Sequence, residues 1–164
     1  MIGGERNSYL KEHRLADVIS AITALGTYKF YKLDFAAWGQ RISGTSKGAN
    51  YWEAVFKEHP EFFRVNSGDN KASLVWRRQF PRNFHVDDIK ETVPDDEIDG
   101  TAEDRISRKP LDAEQITALI DVAVKLHDRA LEEHKARKWW IPLVTAALAF
   151  IGGLLVPWLG KLIG

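Results

Sequence analysis

The sequence contains no cysteine among its 164 residues, which excludes disulfides, thiolate zinc sites and cysteine nucleophiles. It also has no G-x-S-x-G nucleophile pattern, and GTSKG at residues 44–48 lacks the GxxxxGK[ST] spacing of a phosphate-binding loop. Its five histidines show no HExxH or other metal-ligand spacing. We therefore expect no enzymatic activity, no catalytic residue, no metal and no cofactor.

The chain has no overall excess of charge, because 23 Lys and Arg balance 23 Asp and Glu. The two signs are nevertheless separated along the chain. Residues 1–86 hold thirteen basic against eight acidic residues, whereas residues 91–114 hold three basic against nine acidic residues. We therefore expect a basic segment, an acidic segment and an apolar C-terminal segment to behave as separate parts.

Residues 139–158, WWIPLVTAALAFIGGLLVPW, carry no charged side chain. Twenty residues of helix are about 30 Å long, which matches the hydrocarbon core of a bilayer. Tryptophan favours the membrane interface, and Lys and Arg accumulate on the cytoplasmic side. The predicted interface residues are Lys135, Arg137, Lys138, Trp139, Trp140 and Trp158.

Because the N-terminus has no apolar signal-peptide region, we expect residues 139–164 to be a C-terminal tail anchor in membrane lipid. The rest of the chain would then face the cytoplasm. A buried core helix and an amphipathic helix lying in the interface are the alternatives. Neither fits well, because the segment has no polar face.

Residues 1–86 alternate between helical and strand patterns. Gly26 is expected to stop the first helix and Asp34 to cap the second. Helices are expected at residues 14–25, 35–42 and 49–59, and strands at residues 27–34, 61–65 and 72–80. This order of elements predicts a small α+β domain.

KEHPEFFRVN at residues 57–66, followed by KASLVWRRQ at residues 71–79, resembles the end of the third helix and the wing hairpin of a winged-helix domain. The resemblance covers about 70 of the 164 residues and rests on the order of the elements. It implies a helix, strand, helix, helix, strand, turn, strand fold. Winged-helix domains commonly place the third helix in the DNA major groove and the wing on the phosphate backbone.

Carried over by position, the resemblance gives a set of candidate nucleic-acid contacts on the third helix and the wing. They are Lys47, Asn50, Tyr51 and Lys57 for the groove, and Arg64, Lys71, Arg77 and Arg78 for the phosphates. Against DNA binding, Glu53 and Glu58 lie on the same short helix, and the net basicity is modest. Many winged helices instead bind proteins, so a protein partner is the first expectation.

Residues 87–111 are acidic and poor in large apolar residues, so a flexible linker is expected. This acidic segment could also mimic nucleic acid and occupy the basic head, although a simple spacer is the plainer interpretation. Residues 112–138 begin with a capping box of Asp112 and Gln115 and continue as an amphipathic stalk helix.

The apolar stripe of this stalk could pack on the head or pair with another copy as a short coiled coil. Small residues four apart in the apolar segment would permit close contact between membrane helices. The residues expected to support a homo-oligomer are Ile116, Leu119, Ala123, Leu126, Ala130, Ala149 and Gly153.

The sequence thus predicts four parts: a winged-helix-like head (residues 1–86), an acidic linker (87–111), a stalk helix (112–138) and a membrane anchor (139–164). We expect the head to bind a protein partner at the cytoplasmic face of a membrane, as an adaptor or sensor. A membrane-tethered nucleic-acid-binding protein is one alternative. An oligomerising effector that disrupts the bilayer is another.

Overall fold

The structure is a computed structural model that describes residues 7–44, 46–66, 68, 70–86, 106–138 and 142–149, with the backbone alone for residues 137 and 138. The chain divides into two units, Met1–His127 and Asp128–Gly164. The first unit contains helices and small antiparallel sheets, so the expected α+β class is confirmed.

The helices are α1 (Arg14–Thr27), α2 (Phe35–Ser43), α3 (Ala49–Glu58) and α4 (Ala113–Lys138). The strands are β1 (Lys32–Asp34), β2 (Phe63–Asn66), β3 (Lys71–Leu74), β4 (Phe84–His85) and β5 (Ile106–Ser107). Short 3-10 helices span Ser8–Leu10 and Trp76–Gln79.

Two predicted helix starts are confirmed by their capping bonds. Asp34 Oδ1 accepts a hydrogen bond from the Ala37 amide at 2.7 Å, at the start of α2. At the start of α4, Asp112 Oδ1 accepts from the Gln115 amide at 2.8 Å, and Gln115 Oε1 accepts from the Asp112 amide at 3.2 Å. This reciprocal pair is the capping box that the sequence predicts.

Gly26 does not stop α1, because the helix continues to Thr27. Its role is to allow close packing: a Cβ added at Gly26 would lie 3.3 Å from Ile116 Cγ1 and 3.6 Å from Leu111 Cδ1. The Gly26 carbonyl also accepts a hydrogen bond from the Leu111 amide at 2.9 Å. The small residue therefore lets the start of α4 approach the end of α1.

The first three strands form an antiparallel sheet in the order β1–β3–β2. Its core face packs against α2 and α3, where Trp38 and Trp52 are fully buried. The Trp38 indole Nε1 donates to the carbonyl oxygen of Ala72 in β3 at 3.0 Å. Gly39 is required beside Trp52, because a Cβ there would come within 2.8 Å of Trp52 Cδ1.

The strand predicted at residues 72–80 is wrong beyond Leu74, because the chain turns into the 3-10 helix Trp76–Gln79. This turn directs Arg77 into the core, where none of its surface is exposed. A continuous strand would instead have carried the chain past the backbone carbonyls that bind this guanidinium.

The described part of the predicted linker belongs to the first unit and is not a free spacer. β5 pairs with β4, with Phe84 opposite Ser107 and His85 opposite Ile106. The Ser107 hydroxyl donates to the Lys29 carbonyl at 2.7 Å and accepts from the Tyr31 amide at 3.1 Å. These bonds fix residues 106–111 on the head; residues 87–105 lie outside the described residues.

A helix, α4, forms at Ala113–Lys138, but a stalk separate from the head is not supported, because the first half of α4 is packed within the first unit. Ile116 contacts Gly26, Ala123 is fully buried, and His127 Nδ1 lies 3.0 Å from the Tyr9 carbonyl oxygen. Two residues assigned to a self-association seam, Ile116 and Ala123, are thus used in packing on the head. Leu119 and Leu126 are half-buried.

In the second unit, Ala130 is buried and Lys135 is exposed. Residues 142–149 are helical, with Leu143, Leu148 and Ala149 exposed. Among the residues that the structure describes, no helix is both long and apolar enough to cross a bilayer. Of the predicted interface and oligomer residues, Trp139, Trp140, Gly153 and Trp158 lie outside the described residues, as do the side chains of Arg137 and Lys138.

Candidate functional site

Helix α3 presents one face to the core and one to solvent. Trp52, Val55 and Phe56 are buried, as their spacing on the helix predicts. On the outer side, Asn50 and Lys57 are exposed. The predicted groove-facing residues therefore split into two groups, one exposed and one bound within the head.

Lys47 and Tyr51 form the bound group, and both are held by Asp17 of α1. The Lys47 ammonium donates to Asp17 Oδ1, and the Tyr51 hydroxyl donates to Asp17 Oδ2. Asp17 itself is only 5% exposed. The bond to Asp17 raises the pKa of Lys47, and burial raises the pKa of Tyr51. Lys47 therefore keeps its charge, but that charge is already paired with a carboxylate.

The remaining charged residues of α3 also have partners inside the head. Lys57 Nζ lies 2.5 Å from Glu53 Oε1, four residues earlier on the same face. Glu58 accepts from Lys11, and its Oε2 lies 3.0 Å from Arg14 Nη2. The outer face of α3 is consequently close to neutral, unlike the basic recognition helix that a DNA-binding winged helix uses.

Arg77 is wrongly predicted as a phosphate contact. Its Nη1 donates to the carbonyl oxygens of Leu25 at 2.8 Å and Tyr28 at 2.6 Å, and its Nη2 to that of Arg108 at 2.5 Å. Burial lowers the pKa of the guanidinium to about 10, so it stays charged at neutral pH. Arg77 is a structural residue that joins the end of α1 to the β4–β5 segment.

In contrast to the near-neutral outer face of α3, the outer face of the three-stranded sheet carries several basic side chains. Lys32 of β1 and Arg64 of β2 both stand opposite Ser73 of β3, so their side chains leave the sheet on the same side. Lys71 lies two residues before Ser73 on β3 and therefore shares that side. Arg64, Lys71 and the neighbouring Arg78 are exposed, as predicted from the wing resemblance.

A small pocket of about 100 Å³ opens beside this face. The residues around it include Phe30, Tyr31, Lys32, Lys71, Arg82 and Ser107. Arg82 Nε donates to the Ile106 carbonyl at 2.9 Å, which holds the guanidinium at the β5 side of the pocket. Three basic residues thus surround one small cavity.

Sequence reasoning missed two of these three basic residues. Lys32 could have been found, because the alternation in TYKFYKLD places it on one side of a strand. Arg82 could not, because its position depends on the two-residue strand β5, which is too short to give a periodic signal.

A second cluster of polar groups lies at the end of α3. His59 is fully buried, its Nδ1 lies 3.1 Å from Glu61 Oε1, and the Tyr9 hydroxyl donates to the same oxygen. The Tyr9 and His59 rings meet edge to face at 4.6 Å between centroids. Through the Tyr9 carbonyl and His127, this cluster joins the 3-10 helix Ser8–Leu10, the end of α3 and α4.

Within the part of the chain that the structure describes, no group of three or more His, Cys, Asp or Glu side chains could hold a metal ion. Comparison of the chain with protein-family models, with curated proteins and with solved structures gave no match. The outer face of α3 and the outer face of the sheet are the two candidate binding surfaces of the head.

Proposed function

We propose that this chain is a membrane-anchored adaptor whose winged-helix head, residues 7–86 with residues 106–111, binds a protein partner through the outer face of α3. Two features support the winged-helix interpretation. The elements follow one another as α1, β1, α2, α3, β2 and β3, and the sheet order is β1–β3–β2. The order of the elements is what the resemblance leads us to expect, and the sheet joins the first strand to the hairpin of β2 and β3.

The neutral face of α3 is the observation that carries the adaptor function. Duplex DNA binding depends on cations that neutralise phosphates. Lys47, just before α3, is bound to Asp17, and Lys57 of α3 is bound to Glu53, so neither brings an unpaired charge to a groove. A near-neutral helix face with a single exposed amide, Asn50, suits a protein surface better than a phosphate backbone.

The membrane anchor is a proposal from the apolar sequence of residues 139–158, of which residues 142–149 are described. Leu143, Val144 and Leu148 are 57%, 44% and 63% exposed on this helical stretch. Apolar side chains in such a stretch would be buried by lipid in the proposed location.

A membrane-tethered nucleic-acid binder is the second candidate function, and the basic side of the sheet favours it. Lys32, Arg64 and Lys71 lie on that side, and wings commonly contact phosphates. In this alternative the sheet and not α3 would supply the affinity.

The substitution Asn50→Arg separates the two candidates, because it has opposite effects in them. In the adaptor, a long charged side chain on the docking face should reduce partner recovery at least about tenfold. In a nucleic-acid binder, one added cation should strengthen binding to labelled duplex DNA. Recovery is measured by quantitative crosslinking of the full-length chain in its native cells, and DNA or RNA binding by fluorescence anisotropy over a salt series.

Lys125→Gln serves as the control, because Lys125 is an exposed cation on α4, away from α3 and the sheet. It should leave partner recovery unchanged. A partner that is retained equally by the wild type, Asn50→Arg and Lys125→Gln would contradict docking on α3. Tight DNA or RNA binding that weakens steeply with salt would move the second candidate to first place.

A further inference from the structure

Helix α4 carries two apolar stripes, and the described part of the head packs on one of them. Ile116 lies beside Gly26, Ala123 is fully buried, and His127 Nδ1 lies 3.0 Å from the Tyr9 carbonyl oxygen. Intervals of seven and four residues place Ile116, Ala123 and His127 on one face of the helix. This head-facing stripe is used in packing and is not available to a second helix.

The other stripe, which we call the outer stripe, consists of Leu119, Val122 and Leu126. It lies roughly a quarter of a turn away from the head-facing stripe around the helix axis. Val122 is 45% exposed, whereas Leu119 and Leu126 are half-buried. Their intervals of three and four residues are those of the contact positions in one heptad of a coiled coil. A facing helix with the same spacing would cover these side chains.

The charges along α4 indicate which helix fits this stripe. Residues 113–124 hold two acidic residues and no basic residue, so their net charge is −2. Residues 125–138 hold five basic and three acidic residues, so their net charge is +2. The two halves of α4 therefore complement each other, and a second α4 in the opposite direction would place each acidic half beside a basic half.

We propose that the outer stripe binds the outer stripe of a second copy of this chain, with the two α4 helices antiparallel. Leu119 of each copy then faces Leu126 of the other copy, and the two Val122 side chains meet near the twofold axis. Because the same surface is used by both copies, the contact closes at a dimer. A parallel pair would instead place like charges beside each other. The contact does not use the outer face of α3, so it is independent of partner docking there.

The first test measures self-association of the full-length chain in uncharged maltoside micelles, by sedimentation equilibrium over a series of protein concentrations. Val122→Asp should weaken dimer formation at least about tenfold, because it places two carboxylates at the centre of an apolar contact. Thr117→Asp is the matched control, since Thr117 is an exposed residue of α4 that faces away from the outer stripe. It should leave the dimer dissociation constant within about twofold of the wild-type value.

The direction of the helices is tested by disulfide crosslinking, for which the absence of cysteine from the chain is an advantage. Leu119→Cys and Leu126→Cys each introduce a single thiol. When an isotope-labelled copy of one variant is mixed with the other in a glutathione buffer, mass spectrometry should detect mainly the mixed disulfide. Each variant alone should crosslink much less, because a disulfide requires close Cα atoms. Thr117→Cys measures the crosslinking caused by random collisions.

The two tests can each contradict the proposal. Absence of reversible self-association would overturn it. Association that Val122→Asp and Thr117→Asp weaken equally, or that neither weakens, would overturn it in favour of a contact elsewhere in the chain. Efficient crosslinking within each single variant, with little mixed disulfide, would overturn the antiparallel arrangement in favour of a parallel pair. The crosslinking result does not depend on Val122→Asp, so the proposal remains testable if that variant does not fold.

Discussion

The outer faces of α3 and of the three-stranded sheet carry similar numbers of basic residues but use them differently. At the α3 face, Lys47 before the helix is paired with Asp17, and Lys57 on the helix is paired with Glu53. On the sheet, Lys32, Arg64 and Lys71 share one side, and Asp34 on that side is bonded to the α2 backbone. Counting charges along the sequence treats the two faces as alike, whereas the pairing of Lys47 with Asp17 depends on the fold.

This difference indicates a division of tasks within one small head. The acids that stabilise the packing of α3 against α1 also neutralise its surface, so that face suits docking of a protein. The sheet carries Lys32, Arg64 and Lys71 on one side, and Arg82 lies beside them at the small pocket. Each of the following substitutions removes one side chain whose bonds within the head contribute to this difference.

The largest effect is expected from Arg77→Met. The substitution leaves the carbonyls of Leu25, Tyr28 and Arg108 without their buried donor, and a buried polar group that loses its partner costs about 1–3 kcal/mol. We expect the free energy of unfolding of the full-length chain to fall by about 4 kcal/mol, near the upper end for single substitutions. Urea unfolding followed by circular dichroism measures this loss.

Arg78→Met is the matched control, because Arg78 has the same side chain one residue later and is exposed. Its cost should stay within about 0.5 kcal/mol, as for other surface substitutions. Equal losses for the two variants would refute the structural role of Arg77. The result also bears on the pocket, because Arg77 and Arg108 tie the β5 side of the head to the end of α1.

Arg77 and Arg78 also show how far the sequence predicts this structure. Elements with strong local signals could be predicted: the stripe Trp52, Val55 and Phe56 gave α3, and the capping box of Asp112 and Gln115 gave the start of α4. Which of two adjacent arginines is buried could not be predicted. The carbonyls that bind Arg77 come from residues 25–30 and 108, which only the complete fold brings together.

The candidate site was predictable to a similar extent. The resemblance gives Arg64, Lys71 and Arg78 as phosphate contacts; all three are exposed, and their role stays a prediction. The pairing of Lys47 and Tyr51 with Asp17 escaped prediction, because the partners are 30 and 34 residues apart and belong to different helices. Local patterns predict which residues share a face, but a distant residue decides whether a charge on that face is already paired.

A smaller effect is expected from Asp17→Asn, which would remove the carboxylate that is paired with Lys47 at the start of α3. The variant removes the carboxylate that binds both the Lys47 ammonium and the Tyr51 hydroxyl in a nearly buried position. We expect a loss of about 2 kcal/mol in the free energy of unfolding. Lys47 would then lose its acidic partner at the start of α3, so the slope of log affinity for duplex DNA against log salt should become steeper by about one.

Asp121→Asn, at an exposed position of α4, controls for the loss of one negative charge. It should change neither the unfolding free energy nor the salt slope appreciably. If Asp17→Asn and Asp121→Asn altered the salt slope equally, the neutrality of α3 would not depend on its bond to α1. The difference between the two faces would then need another explanation.

The smallest effect concerns Glu61, an exposed acid whose Oε1 contacts the buried His59 and the Tyr9 hydroxyl. Burial alone would raise its pKa, but hydrogen bonds from His59 and Tyr9 hold the pKa below its usual value. A carboxyl with a lowered pKa stabilises the fold above the pKa of the unfolded chain, and this contribution is lost as the pH falls through the folded pKa. Glu61→Gln should therefore cost about 1 kcal/mol at pH 7.

The difference in unfolding free energy between the wild type and Glu61→Gln should shrink as the pH is lowered from about 5 to 3, because the wild-type carboxylate then becomes protonated as well. Urea unfolding at a series of pH values measures this difference, with Glu132→Gln as the control at an exposed acid of α4. A constant difference across the series would mean that the negative charge of Glu61 does not stabilise the His59 and Tyr9 cluster. Convergence of the two curves would place Glu61 with Asp17, as an acid whose charge serves the packing of the head and not its surface.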